Sequence, residues 1–154
     1  MIKYQVEDYD QVIEEIKPLL DEHWEEVALF KEHIKLTPNY TMYEDLYNAG
    51  KLFIMTARDE DKLVGYNIMF LSNHPHYKDD IFAQQDLIYV DPKYRGTRVA
   101  LKLVLYTENF LRDNMDVSVI NYRMKLTHDY SRLLEKLGYK TVELSCIKYV
   151  KKEA

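Results

Sequence analysis

Cysteine is nearly missing from this chain. Cys146 stands alone, so no internal disulfide can form and nothing points to an oxidising compartment. A lone cysteine in an alternating apolar segment is expected as a packed strand residue rather than a catalytic thiol. A basic surplus is also lacking. The formal net charge is −5, which argues against a general nucleic-acid binder, although Lys93, Arg95, Arg98 and Lys102 form a local basic cluster. No apolar run approaches the length of a membrane span, and the opening "MIKYQVEDYD" has neither an apolar core nor a cleavage site. A cytoplasmic protein is expected. Glycine and proline number four each, and the chain contains no repeat, low-complexity stretch or linker.

What is present describes one globular domain, residues 1–154. Apolar residues make up 47% and charged residues 31%, and a chain of this length can bury a sizeable core. Tyrosine is abundant at 14, against five phenylalanines and one tryptophan. Such rings suit half-buried sheets and polar ligand grooves alike.

The pattern predicts β-α-α-β-β-β-α-β-α-β. "IKYQV" alternates as a first strand, and "YDQVIEEIKPLLDEHWEEV" carries apolar residues at helical spacing, with Pro18 expected to end or kink that helix. "NYTMYEDLYNAGK" predicts a second helix, capped by Asn39 or Thr41 and stopped at Gly50. Leu52–Ala57 and Leu63–Leu71 form a hairpin, and "SNHPHYKDD" reads as a polar loop. The strand "DLIYV", the turn "DPKYRG" and a helix from about Thr97 to Asn114 follow, then the strand "DVSVINYRM". "THDYSRLLEKLGY" is a short helix closed by Gly138, and "KTVELSCIKYV" alternates as a final strand. This order predicts a mixed α/β sheet with helices on both faces.

The chemistry concentrates in "YVDPKYRGTRVALKLV". A strand, a tight turn and a helix leave several N–H groups pointing at one place, where the helix dipole favours an anion. Gly96 supplies freedom in the turn, and Arg95 and Arg98 can add charge-assisted bonds to a phosphate.

This stretch, with the element order from about Ile2 to Lys151 and the closing "LLEKLGYK", resembles the GNAT superfamily of acyl-CoA-dependent N-acyltransferases. The closing part of the chain also resembles acetyltransferase-like proteins encoded by bacteriophages. The family loop is Arg/Gln-x-x-Gly-x-Gly/Ala, represented here by Arg95, Gly96, Thr97, Arg98, Val99 and Ala100. The resemblance implies an α+β fold, mostly antiparallel, with two splayed central parallel strands, "DLIYV" and "VSVINY". It implies acetyl-CoA as co-substrate, with pyrophosphate on the amides of Arg95 to Ala100. The pantetheine arm would pair with the backbone of Ile88, Tyr89 and Val90, and an amine would attack the thioester directly from the side of the N-terminal helices.

Two positions depart from the family pattern. Arg98 stands where the first loop glycine is usual, and Leu134 stands where many members place a tyrosine that protonates the leaving thiolate. Tyr130, one helical turn earlier, is a substitute acid or a packed aromatic. A general base is also required; Asp86, Gln85, His74 and His76 are candidates, with His128 a further one read chiefly as a helix cap. His74 and His76 lack a third ligand at metal-binding spacing, so no metal is expected.

Three functions remain from the sequence: an N-acyltransferase acting on a small or protein amine, a GNAT fold kept for binding without chemistry, and transfer to a modified nucleobase amine. The acidic run Asp21–Glu26 suits a cationic acceptor or is a solvated helix face. A homodimer paired through the last strand is a further expectation.

Overall fold

The computed structural model describes residues 1–152; residues 153 and 154 of the expected domain lie outside the described residues. Five strands, β1 (Ile2–Val6), β2 (Leu52–Asp59), β3 (Lys62–His74), β4 (Tyr77–Val90) and β5 (Val117–Asn121), form one sheet in the order β1-β2-β3-β4-β5. All neighbours are antiparallel except β4 and β5, which are parallel. This is the expected mixed sheet.

Helices α1 (Tyr9–Val27) and α2 (Tyr40–Asn48) cover one face, and α3 (Val99–Met115) covers the other. Alternation along β2 sorts the two layers. Leu52 and Ile54 join Val12 and Ile16 of α1, while Phe53, Met55 and Ala57 join Leu103 and Leu111 of α3. Val12 and Ile16 are fully buried, and each such side chain contributes about 1.5–3 kcal/mol. The short helix α4 (Ser131–Glu135) follows β5, with Leu134 buried beneath it. No helix among the described residues is long and apolar enough to cross a membrane.

Four local expectations are corrected. α1 runs through Pro18, which lies on its exposed face, so the carbonyl freed at Glu14 meets water while the buried face holds the helix together. The "SNHPHYKDD" loop is instead ladder: β3 and β4 continue to a tight turn at Pro75–His76, and His74, Tyr77 and Phe82 pack there with ring centroids 4.9–6.0 Å apart. The final strand is not formed; residues 141–152 belong to no sheet among the described residues. Period-2 alternation reveals which faces a strand could present, but a strand also needs a neighbouring edge. Cys146, within that segment, is exposed and not packed.

Candidate active site

β4 and β5 share a ladder only over Ile81–Gln84 and Val117–Asn121. Beyond it they part, and Gln85–Val90 of β4 keeps only its β3 partner. Gln85 pins the point of separation, its side-chain oxygen accepting from the Arg123 amide at 3.0 Å. That bond occupies Gln85 structurally.

The open edge has a defined parity. The Tyr89 carbonyl is turned toward β3, 3.0 Å from where a Cβ on Gly65 would lie, and the Asp91 amide donates to Val64 on the same side. Strand alternation therefore turns the N–H and C=O groups of Ile88 and Val90 into the gap. Of the expected trio, Ile88 presents its N–H and C=O to the gap and Val90 its N–H, the Val90 carbonyl being taken by Arg95, while the Tyr89 backbone faces β3. The Tyr89 side chain faces α1, where its hydroxyl donates to Glu22 at 3.1 Å; burial and that bond push it up to about 12.

A β-bulge sits at the head of this edge. Ile68 pairs with Leu87 and Met69 with Gln85, leaving Asp86 as the extra residue. Bulges re-aim side chains. Here the Asp86 carboxylate faces α2 and accepts from the Tyr43 hydroxyl at 2.6 Å. Burial pushes its carboxyl above the usual range, outweighing the downward pull of Tyr43.

The edge ends in the turn Pro92–Tyr94 and the loop Arg95–Arg98 before α3. Gly96 has φ +77°, a left-handed conformation in which a side chain is strained even though the space beside it is open. Arg98, at φ −82° and ψ 2°, occupies backbone space open to any residue, so the glycine usual there is dispensable. The Thr97 hydroxyl caps the Val99 amide at 3.2 Å. Among the described residues the Gly96, Thr97 and Arg98 amides have no backbone acceptor, and Ala100 in the first helical turn has none within the helix. The loop is exposed and leaves these amides free just before a helix N-terminus, an arrangement suited to an anion.

The Arg95 side chain is not free for a phosphate. Its Nε donates to the Val90 carbonyl at 2.8 Å and its guanidinium pairs with Glu26 at 3.0 Å. Its amide is tied to Pro92. Arg98 is exposed and without a partner among the described residues, and it remains available.

The segment after β5 carries Tyr130, whose amide donates to Met124 Sδ at 3.4 Å. Its hydroxyl is buried without a hydrogen-bond partner among the described residues, and burial pushes its pKa up. His76 is not brought to this place. It occupies the hairpin tip, ten residues before Asp86 in the chain (roughly 33 Å at a strand's rise), and its amide donates to the His74 ring. His128 is exposed, with its ring against the Thr127 hydroxyl.

Sequence reasoning missed Tyr43 and the contacts of Glu22 and Glu26. The acidic run "DEHWEE" was a signal for the latter, since its acids reach β4 and the loop rather than water alone. It also missed His23, half-buried beside Tyr89 with its buried Nδ1 unpartnered among the described residues. Burial pushes its imidazole below the usual range, with Glu26 opposing and Arg95 and His128 reinforcing the shift.

Comparison with known proteins agrees with this geometry. The family model of the acetyltransferase (GNAT) family matches residues 13–139. No curated protein matches the chain in sequence. Among solved structures, an aminoglycoside acetyltransferase from an uncultured soil metagenomic sample, in complex with sisomicin, superposes with a TM-score of 0.71 at 15% identity, covering 99% of this chain and 97% of that one. A ribosomal-protein-alanine N-acetyltransferase from Brucella melitensis biovar Abortus 2308 gives 0.69 at 20% identity over the whole of both chains. A predicted acetyltransferase with acetyl-CoA from Clostridium acetobutylicum gives 0.69 at 12%, covering 97% and 96%. The chain belongs to the GNAT acetyltransferase family, whose co-substrate is acetyl-CoA.

Proposed function

We propose that the chain moves an acetyl group from acetyl-CoA to a primary amine of a small molecule or a protein, by direct attack within a ternary complex. The observation that carries this reading is the open edge of β4, which leads through the Pro92–Tyr94 turn into a loop of unbonded amides. The Gly96, Thr97, Arg98 and Ala100 amides would hold the pyrophosphate. The N–H and C=O of Ile88 and the N–H of Val90 would pair with the amide-bearing pantetheine arm as a neighbouring strand does. An amide on that edge can also polarise the thioester carbonyl, and fixed positioning supplies much of the acceleration.

The acceptor enters from the α1 and α2 side, where Glu22, Glu26 and Asp86 favour a cationic amine. Asp86 takes the proton that the ammonium must lose before attack. The amine nitrogen then bonds to the carbonyl carbon, the carbon–sulfur bond breaks, and the thiolate takes a proton from Tyr130. Support for Tyr130 is its buried hydroxyl, which lacks a protein partner among the described residues.

Leu134, in place of the family tyrosine, favours a second reading in which the fold binds acetyl-CoA without turning it over. Free-thiol release measured across a panel of primary amines separates the two. Thiol release matched by acetylated amine supports transfer; acetyl-CoA binding with no amine-dependent thiol release supports the second reading.

A further inference from the structure

The run from Thr141 to Val150 has the pattern of a strand and no neighbour. Val142, Leu144, Ile147 and Val150 are 80%, 88%, 58% and 79% exposed. No backbone hydrogen bond joins residues 141–152 to another described residue. Leaving such side chains in water forfeits about 1.5–3 kcal/mol each relative to burial.

The same chain carries the complementary deficiency. β5 is an outer strand bonded on one side only, and Val119 is turned to solvent. Exposed edges are normally guarded by charge or proline. The other edge strand, β1, carries Lys3, whereas Val117–Asn121 carries neither charge nor proline. β5 is the edge built to be covered.

Helix α4 returns the chain to the end of β5, where Tyr139 packs edge-to-face on Tyr122 at 5.5 Å. From there the chain does not run back along its own β5. Its far end is held by Tyr149, stacked 4.5 Å from His33 and 6.1 Å from Phe30 in the α1–α2 connection.

We propose that residues Thr141–Val150 form an exchanged strand that pairs with β5 of a second copy of this chain, each protomer's arm closing the other's edge. One unpaired strand and one unguarded edge on a single chain are self-complementary. A two-fold axis satisfies both and needs no third component. The pairing also backs the strand that begins one wall of the acetyl-CoA gap, although it stands independently of the reaction assigned to that gap.

The test uses the full chain, by sedimentation equilibrium through the micromolar range and hydrogen exchange of the amides of 141–150. The expected result is a dimer with protected arm amides. Leu144→Pro combined with Ser145→Pro removes two adjacent donors, one of which must face β5. Val119→Lys charges the receiving edge. Each variant is expected to be a monomer with fast arm exchange and undiminished amide protection in β2 and β3, because the altered residues are exposed in the protomer. A monomeric parent chain overturns the proposal: protected arm amides would mean that the arm folds back onto its own edge, and unprotected ones that it stays free. A dimer that survives either variant overturns it as well.

Discussion

The Tyr43 hydroxyl holds the Asp86 carboxylate through a 2.6 Å hydrogen bond, joining α2 to the bulge of β4. The bond fixes a raised-pKa carboxylate on the α2 side of the open edge. Asp86→Asn is expected to lower kcat by about 10²–10⁴-fold, the usual worth of a positioned base. Acetyl-CoA affinity, measured by calorimetry, should be unchanged.

The same pair predicts the acid limb of the rate profile. The base acts when ionised, so kcat/KM falls as pH drops through the raised pKa of Asp86. Tyr43 pulls that pKa down. Tyr43→Phe should therefore move the limb to higher pH, and Asp86→Asn should abolish it. Stability runs the opposite way. A carboxyl whose folded pKa lies above its unfolded value of about 3.9 favours folding below that value and loses the advantage as pH rises through the folded pKa. Asp86→Asn should raise Tm at neutral pH and leave it unraised in acid.

In the loop, backbone and side chain make separable predictions. Gly96→Ala should cost about 1 kcal/mol in a denaturant titration, because φ +77° disfavours a side chain. Gly96→Pro removes an amide and forbids that φ, so a folded variant should lose acetyl-CoA binding. Arg98→Ala should weaken binding at low ionic strength by an amount that shrinks as salt screens the guanidinium.

The Tyr130 hydroxyl has no partner among the described residues, so Tyr130→Phe should leave thermal stability unchanged or raised. As the acid it should lower kcat by about 10²-fold with little change in the KM for acetyl-CoA. A packing role alone would leave kcat intact.

Most of the fold was legible because its signals are local. The apolar stripe of α1, the cap of α2, the β2–β3 hairpin and the Gly96 turn follow from residue spacing, and Asn39 does cap α2 through Met42, whereas Asp8 before α1 makes no side-chain cap bond. The hidden features are long-range. The bulge at Asp86 exists only as a register difference with β3, and the bond to Tyr43 joins residues that alternation cannot relate. The Arg95 side chain is drawn from the phosphate position by Val90 and by Glu26 on a distant helix. The missing last strand failed for the same reason: Thr141–Val150 has the right pattern, but no edge within the protomer receives it.

A structural ion pair offers an independent check on the fold. Arg58 bonds Glu7 at 2.6 and 2.9 Å and also reaches Glu15. Burial alone would raise the Glu7 carboxyl, yet the bonds from Arg58 and Gln5 outweigh it and hold the pKa below the usual range. That contribution is present above the unfolded pKa of about 4.3 and is lost as pH falls through the folded one. Arg58→Ala should cost about 3 kcal/mol at neutral pH by stranding a buried carboxylate, and should flatten the loss of Tm on acidification.

The central claim is that the open edge of β4 and the amides of Gly96, Thr97, Arg98 and Ala100 form a seat for acetyl-CoA. Calorimetric titration of the full chain with acetyl-CoA tests it most directly. The account predicts saturable one-to-one binding in the parent chain and its loss in folded Gly96→Pro. Absence of binding at millimolar ligand, or full affinity in the Gly96→Pro variant, would contradict it.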